Sequence, residues 1–232
     1  MSAAVPGSFR DGTMSKRDRL LNLAQLRVRS RWPGYGHPED YGYDFRDLVS
    51  PYSRTARNLD ADVMIVLQDW SSHDKLSGGI NADVARYGHD PCLRTNIKLK
   101  DLLHRHLGLH LEDTYGTNLF PFIKQGGISG RIPAPDLARA AEVFALPQIE
   151  IVNPRVVLAL GRGTSKALVR AGAKVLGLPH PAARISNAAM DEAWCAVVRV
   201  LDAIRTRRRE NVPPLTRDHS TLSPSGCGAE RK

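Results

Sequence analysis

The chain holds only three cysteines in 232 residues, Cys92, Cys195 and Cys227, and no pair is spaced as C-x-x-C. That excludes a disulfide framework and a dithiol redox or zinc centre, and it makes a reducing cytoplasm the expected setting. No stretch approaches the roughly 18 apolar residues of a membrane span, and the opening MSAAVPGSFRDGT has no apolar core of signal-peptide length. A soluble, intracellular protein without a membrane partner is therefore expected. Acidic charge is also short, with 24 Asp and Glu against 33 Lys and Arg, for a net charge of +9 and a pI near 9.8. This balance favours a polyanion such as nucleic acid as the partner.

What is there organises around one core. Residues 1–13 and 210–232 are rich in Gly, Pro, Ser, Thr and charge and read as disordered tails, so Cys227 is expected to be functionally silent. Residues 14–58 read as a helix and an aromatic loop packed on the core. Ser15 is a plausible N-cap for the helix, Leu20, Leu21, Leu23, Leu26 and Val28 form its apolar stripe, and its arginines fall on the other face. Six of the chain's fourteen aromatic residues (Trp32, Tyr35, Tyr41, Tyr43, Phe45 and Tyr52) follow in residues 31–57. Burial of these rings against the core is the simpler reading, and stacking on nucleobases is the alternative.

Residues 59–209 alternate short apolar runs with helical periods, the pattern of an α/β fold. Strands are predicted at Val63 to Gln68, Tyr115 to Leu119, Val156 to Leu160 and Val175 to Leu178. Helices are predicted at Asn96 to Leu107, at Pro135 to Val152 with a kink or break at Pro147, after Gly161 with Thr164 as cap and Gly172 as stop, and at Asn187 to Arg205. The expected architecture is a three-layer α/β/α sandwich around a four-stranded, mainly parallel sheet.

In such a sheet ligands bind beyond the carboxyl ends of the strands. Four polar or glycine-rich segments fall there: Gln68 to Ser72, Asn118, Gly161 to Ser165, and His180 to Pro181. They bring a carboxylate, an amide and an imidazole together. Hydrolysis of an N-glycosidic bond builds positive charge on the sugar and negative charge on the departing base. A carboxylate stabilises the first and activates water, an imidazole stabilises the second, and an amide reads the base edge.

With these segments in view, the chain resembles the uracil-DNA glycosylase superfamily over about residues 60–206. The segments VMIVLQDWSS, TNLFPF, IVNPRVVLALGRGTSKAL and GLPHPAARIS stand in the family's order. The resemblance implies that Asp69 activates water, that His180 stabilises the leaving base, and that Gln68 and Asn118 help to bind it. Trp70 and Phe120 are further base-binding candidates. The loop Ala182 to Asn187 matches the segment that enters the minor groove, with Arg184 or Ile185 as the wedge that fills the gap left by a flipped nucleotide. Arg162, Thr164, Ser165 and Lys166, at a helix start, are candidates for phosphate contact.

Departures from the family pattern are specific. Leu67 and Trp70 stand where a glycine and a proline are usual, and Ser71 stands where a tyrosine blocks the thymine methyl. The usual base-stacking aromatic is expected near DPCLRT, where Cys92 or Leu93 stands; Phe120 and Phe122 are possible substitutes. The cysteines of the iron-sulfur branch are missing, so neither a cluster nor another metal or cofactor is expected. Lys124 and Lys166 lie near strand ends but read as surface cations, so a hydrolysis without a lyase step is expected. The reading is a monomeric, cytoplasmic, nucleoid-associated DNA glycosylase acting on uracil or a related base; the alternative is a catalytically silent DNA- or nucleotide-binding module of the same fold.

Overall fold

The computed structural model describes residues 14–210. The expected tails, with Cys227, lie outside the described residues apart from Glu210, which ends the last helix. Helix α1, Lys16–Arg29, begins at Ser15, whose hydroxyl accepts from the Asp18 amide and satisfies one free donor of the first turn. Leu23 and Ala24 are buried on it, and so is Arg27, which departs from the expectation that its arginines face solvent. The Arg27 guanidinium pairs with both carboxylate oxygens of Glu39 at 2.8 Å and donates to the Phe45 carbonyl at 2.8 Å. Desolvation is offset by this two-pronged geometry, and α1 is pinned to the aromatic segment.

After strand β1, Tyr35–Gly36, the chain wraps the core and then enters β2, Val63–Asp69. Helices α2 (His73–Leu76), α3 (Ala82–Tyr87) and α4 (Arg94–Leu107) lead to β3, Tyr115–Phe120. Strand β4, Ile123–Lys124, pairs antiparallel with β1 as a separate two-stranded sheet. Helix α5, Ala134–Ala140, runs through a π-helical stretch, Ala141–Ala145, into α6, Leu146–Val152. The break expected at Pro147 takes this form because proline offers no N–H to the preceding turn and its ring crowds that turn.

Strand β5, Val156–Leu160, helix α7, Arg162–Arg170, strand β6, Leu176–Leu178, and helix α8, Asn187–Glu210, complete the chain. Thr164 does not cap α7. Gly161 is the cap residue, at a φ of 96° that glycine reaches without a Cβ penalty, while Thr164 is buried in the first turn. The main sheet has the order β3-β2-β5-β6 with every pairing parallel.

All of Val63 to Leu67 is buried because helices cover both faces. Strand alternation then divides the core. Met64 and Val66 pack with Leu137, Phe144 and Leu168 on one side, while Val63, Ile65 and Leu67 pack with Leu99, Leu103, Trp194 and Val197 on the other. The protein is the three-layer α/β/α sandwich that the sequence pattern predicts. Among the described residues no helix is long and apolar enough to cross a membrane.

Candidate active site

Parallel register brings the polar ends of β2 and β3 side by side, with Leu67 opposite Asn118 and Asp69 opposite Phe120. Beyond that edge lies a cavity of about 630 Å³, lined by Leu67, Asp69, Trp70, Ser71, Asn118 and His180 among others. Its size suits a small ligand or a single extruded nucleotide. Asp69, Asn118 and His180 thus meet at one cavity although 49 and 62 positions of chain separate them in turn.

Asp69 is held from two sides. Its Oδ1 accepts from Gln68 Nε2 at 3.1 Å and its Oδ2 pairs with Lys124 Nζ at 2.8 Å. Lys124 is therefore no surface cation: its side chain is 4% exposed, and Nζ also donates to the Ile128 carbonyl at 2.6 Å. The short β4 strand delivers it, with Tyr35 opposite on β1 and Ser72 bridging on the other side. Sequence reasoning missed this because a lysine a few residues after a strand looks like any other cation of a basic protein.

His180 follows β6 and is half-buried. Its Nδ1 accepts the Ala182 amide at 3.2 Å, so in the neutral ring the proton sits on Nε2. Burial pushes its pKa below the ordinary imidazole value of 6.5, against a smaller upward pull from Asp69. A neutral ring that donates from Nε2 is the form this site favours.

Asn118 is 1% exposed. Its Oδ1 accepts from Ser50 Oγ at 2.6 Å, and Ser50 Oγ in turn accepts the Tyr52 amide at 3.2 Å. Trp70 donates from Nε1 to the Gly88 carbonyl at 2.8 Å, and its ring meets Tyr43 and Phe45 edge-on. The tryptophan is thus both packed and part of the cavity wall. Gln68 contacts the start of α7, where a Cβ on Gly163 would come within 2.5 Å of its Oε1.

Other candidates lie elsewhere. Phe120 is fully buried against Trp32, Tyr35 and Phe122, and neither it nor Phe122 lines the cavity. The aromatic wall comes instead from Tyr43 and Tyr52, in the segment ahead of β2, with Leu93 also at the cavity. Their clustering in residues 31–57 was the sequence signal for them. His89 was missed: it lines the cavity, its Nδ1 donates to the Tyr87 carbonyl at 3.1 Å, its ring lies against Tyr52, and burial lowers its pKa.

Of the residues expected at DNA, Arg162, Lys166, Ala182, Arg184 and Ile185 are exposed. Ser165 is half-buried beside Gly177 of β6, and Thr164 is buried with its hydroxyl unpartnered, which removes that hydroxyl from phosphate contact. Among the described residues no group of three or more His, Cys, Asp or Glu side chains is arranged to hold a metal ion.

No curated protein sequence matches the chain significantly. Residues 58–202, more than half of the chain, match the family model of the uracil DNA glycosylase superfamily. That span contains all four strands of the main sheet and the three polar groups that meet at the cavity, and on this match the chain belongs to the uracil DNA glycosylase superfamily.

Proposed function

We propose that the protein is a monofunctional DNA glycosylase that hydrolyses the N-glycosidic bond of uracil or a related deaminated base. The observation that carries this reading is the convergence of Asp69, Asn118 and His180, from three separate strand ends, on one nucleotide-sized cavity. The extruded nucleotide enters with its sugar toward Asp69 and its base between the aromatic wall and Asn118. Breaking the bond from C1′ to the base nitrogen leaves the electron pair on the base. His180 Nε2–H donates to a base carbonyl and stabilises that anion, while Asp69 faces the sugar cation, orients the water that attacks C1′ and accepts the proton that water loses, leaving a C1′ hydroxyl and the free base.

Lys124 compensates the Asp69 charge and is occupied by it and by the Ile128 carbonyl. An amine so engaged makes a poor nucleophile, which agrees with hydrolysis without a lyase step. Exposed Arg184 and Ile185 in the loop after His180 are suited to fill the vacated stack, and Arg162 and Lys166 to contact phosphates. The protein works on DNA as a cytoplasmic, nucleoid-associated monomer, without a cofactor.

One observation favours the alternative of a catalytically silent DNA- or nucleotide-binding module: both Asp69 oxygens already have partners. A gel assay separates the two. Single- and double-stranded oligonucleotides carrying uracil, hypoxanthine, xanthine or a mismatched thymine are incubated with wild type and with Asp69→Asn, and abasic sites are opened with alkali. Wild type is expected to cleave at least one lesion and the variant to be at least about 100-fold slower with DNA binding retained. Intact binding with no cleavage of any substrate would leave the silent module.

A further inference from the structure

We infer that Ser50 is a positioning residue that fixes the polarity of Asn118, so that the cavity is set to accept a base carrying two carbonyl oxygens. The inference rests on the glycosylase reading and deepens it. Ser50 belongs to the aromatic segment and precedes the span matched to the family, which begins at residue 58.

Ser50 is fully buried and its hydroxyl has one hydrogen. That hydrogen goes to Asn118 Oδ1 at 2.6 Å, while the oxygen accepts the Tyr52 amide at 3.2 Å. Turning the Asn118 amide over would set its NH₂ group against the hydroxyl. The hydroxyl would then have to accept twice, and its own hydrogen would lose its partner where water does not reach. Asn118 is therefore held with its oxygen on Ser50, and its Nδ2 hydrogens are what it offers the cavity it lines.

His180 is fixed in the same sense, since the Ala182 amide occupies Nδ1 and leaves Nε2–H as the donor. Two donors, one from β3 and one from the loop after β6, match two carbonyl oxygens on one ring. Uracil presents such a pair. Cytosine carries an amino group in place of the second carbonyl and would meet Asn118 donor to donor. Discrimination against it follows because a site built to hydrogen-bond one group is left with an unpaired donor by the other.

The test measures binding and excision separately. Oligonucleotides with one uracil or one cytosine beside a fluorescent 2-aminopurine report extrusion and affinity in an Asp69→Asn background, where turnover is suppressed. The background protein is expected to prefer uracil. Adding Ser50→Ala should reduce the uracil-to-cytosine ratio about tenfold, equivalent to about 1.4 kcal/mol, and Ser50→Thr, which keeps the hydroxyl, should restore it. A purely structural role would weaken both ligands together and leave the ratio unchanged. Ser50→Cys keeps the volume with a weak donor and serves where alanine prevents folding.

An unchanged ratio in a folded Ser50 variant, or no preference in the background protein, overturns the inference. Excision by the chain with Asp69 intact separates this from the functional reading. Uracil preference dependent on Ser50 but without turnover upholds the lock and removes the glycosylase. Turnover with a ratio indifferent to Ser50 does the reverse.

Discussion

At the scale of single residues, the buried pair of Lys124 and Asp69 bears on the choice between hydrolysis and lyase chemistry in the proposed reaction. The 2.8 Å contact keeps the ammonium group beside the carboxylate, and its second bond to Ile128 holds it away from open space. Attack on an abasic aldehyde would need the free amine. Incubation with a uracil substrate in the presence of borohydride is thus expected to yield no covalent protein–DNA adduct. A trapped adduct that disappears in Lys124→Met would show that the lysine leaves the carboxylate during turnover, and the hydrolysis-only scheme would have to be abandoned.

At the scale of elements, the site depends on a segment that lies mostly ahead of the family-matched span. Tyr43, Ser50 and Tyr52 come from the stretch after β1, and that stretch is tied to α1 by Arg27 through Glu39 and the Phe45 carbonyl. Removing one member of a buried ion pair leaves the other charge uncompensated, at a cost of about 3–5 kcal/mol. Arg27→Ala is accordingly expected to lower the stability read from urea unfolding by about that amount, and to weaken the proposed excision activity at temperatures where the parent remains folded. If the unfolding midpoint does not move, the pair is not what holds the segment.

At the scale of the whole molecule, three buried or half-buried imidazoles, His37, His89 and His180, all have pKa values pushed below 6.5. Loss of hydration is the largest cause in each case. The folded chain therefore binds fewer protons than the unfolded chain just below pH 6.5, so stability rises with pH there and is lost as the pH falls through that interval. Thermal unfolding between pH 7.5 and 5 should show a falling midpoint, and ring resonances of His180 followed by NMR should titrate below 6.5. A His180 midpoint at or above 6.5 would contradict the neutral Nε2–H donor on which the proposed leaving-base step depends.

Much of this protein could be read along the chain because its signals are local. VMIVL and VVLAL are continuous apolar runs because helices cover both faces of the sheet, and the polar break after each marks a strand end whichever way the chain later turns. Asp69, Asn118 and His180 were legible as candidates for the same reason, since a parallel sheet carries all its strand ends to one edge. Tertiary structure alone decided which neighbours these groups would have. Lys124 reads as a surface cation until β4 pairs with β1 and draws it beneath Asp69, and Arg27 reads as solvent-facing until Glu39 arrives to meet it. Phe120 and Thr164 sit at strand and helix ends yet point into packed interior, while Tyr43 and Tyr52 reach the cavity from a segment with no regular period. Burial and charge pairing depend on the approach of residues distant in sequence, and composition and periodicity describe only the chain nearby.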